Sequence, residues 1–116
     1  MKSWGKSISL DIHNCNLEII SNPESIEKYV KDVISEINMV AHGACHIERF
    51  GVGNLEGYSA LQFIETSSIT IHCDEPEKRA FVDIFSCKDF DEKLVEEFSA
   101  NYFEGKIANS TILVRK

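Results

Sequence analysis

The residues best suited to covalent chemistry lie in one stretch and in the strand-like segment after it. The first reads Glu65-Thr66-Ser67-Ser68-Ile69-Thr70-Ile71-His72-Cys73 and the second Val82-Asp83-Ile84-Phe85-Ser86-Cys87-Lys88. A serine hydroxyl can act as a nucleophile, an imidazole moves protons near neutral pH, and a thiol can do either. Serine and threonine also suit turns, and a strand histidine or cysteine is ordinarily packed, so the residue types alone leave catalysis and plain structure both open. A second group, His13 with Cys15 and the run His42-Gly43-Ala44-Cys45-His46, has zinc-ligand types. Gly43 interrupts the helix that would align His42 with His46, so no metal site is expected. The third feature is Phe50-Gly51-Val52-Gly53-Asn54-Leu55-Glu56-Gly57. Glycine-rich loops cradle phosphates when they follow a strand and open a helix. Here the next segment alternates like a strand, which makes this a hairpin turn.

The elements that must position these residues follow from periodicity. Ser7 to Ile12 alternates, with Ile8, Leu10 and Ile12 on one face, as in a half-buried strand. Asn22-Pro23 marks a helix start. Ile26, Tyr29, Val30, Val33, Ile34 and Ile37 then repeat at helical spacing, so a helix is predicted from about Pro23 to Ala41 with Gly43 as its cap. Strands are expected at Cys45–Phe50, Tyr58–Ile64, Ser68–Cys73 and Arg79–Cys87, with Glu65-Thr66-Ser67 a tight connection or bulge. Arg79–Cys87 has apolar residues on both faces and reads as central. Asp89 and Glu92 fit a capping box for a second helix through Leu94, Val95, Phe98 and Tyr102, closed by Gly105. Lys106–Val114 is a final edge strand. The order β-α-β-β-β-β-α-β implies an α+β two-layer sandwich, a mainly antiparallel sheet with two helices on one face. Its open face calls for a cover, and a homodimer is the expected one.

The chain has 116 residues and a net charge of -7, with 43% hydrophobic and 27% charged residues. One domain is expected, and disordered or low-complexity classes are excluded. The acidic balance argues against nucleic acid and anionic membranes as partners. No apolar run reaches the roughly 20 residues of a membrane span, and the alternating N-terminus is not expected to be a signal peptide. The four cysteines form no CxxC pair, which fits reduced thiols and a cytoplasmic location.

The Ser67-Ser68-Ile69-Thr70-Ile71-His72 stretch, the Asp83-Ile84-Phe85-Ser86-Cys87 strand and Gly57-Tyr58-Ser59 upstream together resemble the prokaryotic S-adenosylmethionine decarboxylase family. The resemblance is concentrated between Gly57 and Lys88. It implies an S-adenosylmethionine decarboxylase-like fold and a self-processing proenzyme. Ser67, on a strained turn, would attack the Thr66 carbonyl. β-Elimination and hydrolysis would then leave a β chain of residues 1–66 and an α chain of residues 67–116 that begins with a covalent pyruvoyl group derived from Ser67. That ketone would form a Schiff base with an amino-bearing small-molecule substrate and accept the electrons left by CO₂. By resemblance, His72 is the processing base, Ser59 helps position the carbonyl, and Cys87 is the proton donor. Processed protomers would form a homodimer. Ser67 and His72 differ in strand parity, so a bulge near Ser67-Ser68 is expected to bring them together.

The sequence departs from the family pattern at several places. Thr66 stands where the family has Glu, and Ser68 where it has His. The adenine-stacking aromatics fall at Asp74 and near Gly53, with Phe50 a substitute only if the turn shifts. Asp74 and Glu75 could instead pair with a cationic substrate. The resemblance nonetheless implies decarboxylation of S-adenosylmethionine for spermidine synthesis as the expected reaction. The same chemistry on arginine or ornithine is one alternative, and an unprocessed regulatory paralogue is another.

Overall fold

The computed structural model describes residues 3–116. Its elements are β1 (Gly5–His13), α1 (Leu17–Ile20), α2 (Pro23–Glu36), β2 (Ala41–Phe50), a 3₁₀ turn (Gly53–Leu55), β3 (Gly57–Ile64), β4 (Ser67–Asp74), β5 (Arg79–Ser86), α3 (Glu92–Phe103) and β6 (Lys106–Arg115). The strands form one six-stranded sheet in the order β2-β3-β4-β5-β1-β6, and every neighbouring pair is antiparallel. The expected element order holds, with the single-turn α1 and the 3₁₀ turn added. β5 is interior and β6 is an edge, as their patterns require.

Alternation on each strand sends one set of side chains toward the helices. Ile8, Leu10, Ile12, Ile69, Ile71, Val82 and Ile84 are all buried there, against Ile26, Tyr29, Val30, Val33, Val95 and Phe103 of α2 and α3. Tyr29 is fully buried among Phe98, Tyr102 and Phe103, and its hydroxyl shares a 2.5 Å hydrogen bond with Ser99 Oγ. Burial pushes the Tyr29 phenol above its ordinary pKa. Replacing Tyr29 by Phe keeps the ring packing and leaves the Ser99 hydroxyl without this dry partner. A loss of about 1–2 kcal/mol is expected in urea unfolding, and an unchanged midpoint would show that Ser99 finds another acceptor.

Three local expectations need correction. The helix does not run to Ala41. Asn38, at φ 57°, ends α2, with Asn38 N–H donating to Ser35 O at 3.1 Å and Met39 N–H to Ile34 O at 3.0 Å. That is a Schellman ending built on asparagine. Gly43 instead lies within β2 at φ 76°, where the register with β3 is interrupted between His42 and His46. Gln62, 3% exposed, donates its amide to the carbonyls of His42 and Gly43, both at 3.2 Å, and so satisfies the groups the bulge frees. The capping box is also displaced: the N-cap of α3 is Asp91, accepting from Leu94 N–H at 3.2 Å. Asp89 and Glu92 are held by Lys6 Nζ, at 2.6 and 3.0 Å. At the far end of α3 the left-handed residue is Glu104, not Gly105. Gly105 serves a close approach, since a Cβ there would stand 2.6 Å from His13 O.

Candidate active site

Ile64 pairs directly with Ser67, so Glu65-Thr66 is a two-residue hairpin loop joining β3 to β4. This tip is tied on both sides. Glu65 N–H donates to Val40 O at 2.9 Å, and Thr66 O accepts from Cys87 N–H at 3.0 Å. Ser67 is half-buried and stands opposite Ser86 in the β4–β5 ladder, while Lys6 of β1 stands opposite Ser86 on its other side. The start of β1 reaches this corner because Gly5 has no side chain: a Cβ there would lie 2.3 Å from Ser86 O and 2.8 Å from Cys87 Cα. Three strand ends thus converge on the Thr66–Ser67 peptide bond. The strained turn is not found in left-handed form, because positive φ outside glycine occurs at Asn14, Asn38, Lys78 and Glu104.

Ser59 and His72 are brought together. They are partners in the β3–β4 register, and Ser59 Oγ shares a 2.8 Å hydrogen bond with His72 Nδ1. They lie on the open sheet face, in a cleft of about 410 Å³ with His46, Glu48, Phe50 and Thr70. Phe50, 58% exposed, belongs to this cleft.

Ser67 and His72 do not meet. β4 keeps unbroken register with both neighbours, so the expected bulge is absent. Ser67 shares the parity of buried Ile69 and Ile71, whereas His72 shares that of Ser68 and Thr70. Along the strand the separation is about 16 Å at roughly 3.3 Å per residue.

Cys87 follows β5, is exposed, and lines a separate cleft of about 330 Å³ with Trp4, Gly5, Lys6, Lys88 and Asp89. The other thiols differ. Burial pushes Cys15 up to about 11 and Cys73 up to about 12, which keeps both protonated, and it raises half-buried Cys45 as well. Among the described residues no group of His, Cys, Asp and Glu is gathered for a metal ion.

Asp74 and Glu75 are not free carboxylates. Asp74 Oδ2 accepts from Arg79 Nε at 2.7 Å. Glu75 takes Arg49 Nη1 at 2.6 Å and Nη2 at 3.2 Å, while Arg49 also pairs with Glu56 at 2.7 Å and lies over the Tyr58 ring. Asp74 is about 23 Å from Ser67 along β4, at roughly 3.3 Å per residue. The expectation that this pair waits for a substrate cation is therefore not met: each already has an arginine partner within the chain.

Sequence reasoning missed the side-chain cluster beneath the hairpin tip. Ser86 Oγ donates to Thr66 Oγ at 2.9 Å, Thr66 Oγ donates to Met39 Sδ at 3.0 Å, and Lys88 N–H donates to Ser86 Oγ at 2.9 Å. The signal available was the polar Ser86 in an otherwise apolar strand parity of Ala80, Val82 and Ile84.

The corner therefore offers a serine hydroxyl next to a carbonyl that an oriented N–H polarises, with an exposed thiol on the residue that supplies that N–H. Such a set can rearrange the peptide bond preceding the serine.

Comparison with known proteins gives a consistent result. A family model described as S-adenosylmethionine decarboxylase matches residues 6–116. The S-adenosylmethionine decarboxylase proenzyme of Thermosipho melanesiensis is 36% identical over 90 residues, covering 77% of this chain and 65% of that protein. The proenzyme of the same name from Thermodesulfovibrio yellowstonii is 29% identical over 111 residues, covering 92% of this chain and 77% of its own length. Among solved structures, the adenosylmethionine decarboxylase of Aquifex aeolicus superposes with a TM-score of 0.82 at 19% identity, over 99% of this chain and 92% of that one. That last similarity establishes the fold.

Proposed function

The chain belongs to the S-adenosylmethionine decarboxylase family, and on that premise we propose that it is a self-processing, pyruvoyl-dependent decarboxylase. It would convert S-adenosylmethionine to the decarboxylated product used in spermidine synthesis. The observation that carries the reading is the Thr66 carbonyl, at the hairpin tip and next to Ser67, accepting from Cys87 N–H at 3.0 Å.

The first step follows from that geometry. Ser67 Oγ attacks the Thr66 carbonyl carbon, and the Cys87 N–H stabilises charge growing on the carbonyl oxygen. The peptide C–N bond breaks as the ester C–O bond forms, and the hydroxyl proton passes to the Ser67 nitrogen. Loss of the Ser67 α-proton then expels the Thr66 carboxylate, dividing the chain into residues 1–66 and 67–116 and leaving dehydroalanine at position 67, whose imine tautomer takes up water and releases ammonia to give the pyruvoyl ketone. The residues present fit a pyruvoyl group made in place, because its precursor serine and an oriented donor for the neighbouring carbonyl are both there. Once formed, the ketone supplies an electron sink for loss of CO₂ from an amino-bearing substrate. Cys87 Sγ, exposed beside Ser86 and Lys88, is the group assigned to return a proton to the substrate carbon.

The opposite faces of Ser67 and His72 give the Ser59–His72 pair a later task. By the family reading the pair is assigned to the elimination rather than the acyl shift, and with His72 about 16 Å from Ser67 along β4, at roughly 3.3 Å per residue, that role requires β4 to change its course near Ser67. His72→Ala is expected to halt as an ester. Hydroxylamine cleaves esters much faster than amides, and it should cut this variant between Thr66 and Ser67, leaving an unmodified serine at the new terminus. Cleavage at the parental rate without hydroxylamine would remove His72 from processing.

The overall reading is tested by intact mass spectrometry of the purified protein, together with CO₂ release from S-adenosylmethionine, arginine and ornithine. Two fragments and release from S-adenosylmethionine are expected. A persistent single 13.1 kDa species would favour an unprocessed regulatory protein. With Asp74 and Glu75 paired to arginines, no structural observation favours a basic amino acid as substrate.

A second copy of the chain is assigned to the open sheet face, where Trp4, Phe50, Phe63 and Leu113 are each at least 50% exposed. Sedimentation should then give twice the chain mass. Among the described residues no helix is long and apolar enough to cross a membrane. All four cysteines are free thiols, which accords with the reducing cytoplasm.

A further inference from the structure

Resting on the processing reading above, we propose that Ser86 is a positioning residue for cleavage, setting the Thr66 carbonyl in place for attack by Ser67. The donors beneath the hairpin converge on Thr66 and Met39. Lys88 N–H donates to Ser86 Oγ at 2.9 Å, Ser86 Oγ to Thr66 Oγ at 2.9 Å, and Thr66 Oγ to Met39 Sδ at 3.0 Å. Ser86 Oγ also has Met39 Sδ within reach at 3.4 Å, a longer contact than the one to Thr66. Ser86 is fully buried, so water cannot take over its bonds.

Thr66 is consequently gripped at two points by one segment. Residues 86–88 hold its side chain through Ser86 Oγ and its carbonyl oxygen through Cys87 N–H at 3.0 Å. Two anchors on one residue fix both the rotamer and the plane of the scissile peptide. The acyl shift needs this: Oγ must approach the carbonyl carbon along a narrow range of directions, and small misplacements are costly in rate. The arrangement also gives Thr66, where the resembling family has Glu, a use within this chain. Its short hydroxyl side chain reaches the buried pair of Ser86 and Met39 at the base of the hairpin.

The test follows the rate of autocleavage of freshly synthesised full-length precursor for the parent, Ser86→Ala, Thr66→Val, the double variant and Ser86→Thr. Each single loss is expected to slow cleavage about tenfold, the usual size of one such hydrogen bond. The double variant should be no slower than the slower single, because both changes break the same link. Ser86→Thr, which keeps the hydroxyl, should restore the rate. Hydroxylamine should not accelerate cleavage of Ser86→Ala, since the block precedes the ester, in contrast to His72→Ala. A purely structural role would lower the melting temperature and leave this pattern unmoved. Parental cleavage by Ser86→Ala, multiplicative slowing in the double variant, or restoration by hydroxylamine would each overturn the proposal. Where Ser86→Ala fails to fold, Thr66→Val at the chain turn provides the rate. A parent that never cleaves overturns the processing reading itself, so the two failures are distinct.

Discussion

Ser67→Ala is expected to remain a single 13.1 kDa chain through an incubation that divides the parent into two. The substitution removes one oxygen from a half-buried position at the start of β4. The alanine methyl fits wherever the serine did, so folding stability should move by no more than about 0.5 kcal/mol. The carbonyl, its Cys87 donor and the Thr66–Ser86 link all survive, and only the nucleophile is lost. No neighbouring group replaces it: Ser68 has the opposite strand parity and pairs with Phe85 on the open face. Intact mass spectrometry reads the result directly. Cleavage of Ser67→Ala at the parental position would mean that the attacking hydroxyl lies elsewhere, and Ser68→Ala would then be the variant to block it.

Cys87→Ala should behave in the opposite way, cutting normally and failing in turnover. Its contribution to the first step is a backbone N–H, which alanine retains. Its proposed contribution to decarboxylation is the thiol, which alanine lacks. General acid groups contribute roughly 10²–10⁴ in rate, so a fall in kcat of that size is expected with KM little changed. The measurement is CO₂ release from fully cleaved variant, with its pyruvoyl content checked by mass. Unchanged kcat would reject Cys87 as proton donor while leaving the processing mechanism intact.

Much of the architecture was legible because alternation is local. β1 declares its buried face in Ile8-Leu10-Ile12, whereas β5 is apolar on both faces and β3 buries Gln62 while turning Phe63 to the open side, so their buried faces come from the fold. Helix ends were harder. Asn38 and Gly43 both adopt left-handed backbone, and composition favours glycine as the stop, although Gly43 belongs to a bulge secured by Gln62 from the next strand. Asp89 looked like a cap because its partner Lys6, at 2.6 Å, is remote in sequence.

The site shows the same division. The parity of Ser67 and His72 could be read, and their separation is real. The resolving bulge was inferred from chemistry, and the structure shows a regular strand whose register is set by the Glu65-Thr66 loop. Cross-strand partners were beyond reach: Ser59 with His72, Ser86 with Thr66, and the arginines that occupy Asp74 and Glu75 all depend on register.

The strand order has a thermodynamic consequence for a chain cut between Thr66 and Ser67. Residues 1–66 hold β1, β2 and β3, and residues 67–116 hold β4, β5 and β6. In the order β2-β3-β4-β5-β1-β6, β1 of the first piece lies between β5 and β6 of the second. The halves are interleaved rather than abutting, and they share three ladders instead of one. They stay together through any local opening. After complete unfolding, however, rebuilding each protomer becomes an encounter of two pieces, so the melting temperature of the cut protein depends on dilution more steeply than that of the uncut chain. One peptide bond thus raises by one the number of chains each protomer needs to fold, and the cut form, once fully unfolded at low concentration, refolds far less readily than its precursor.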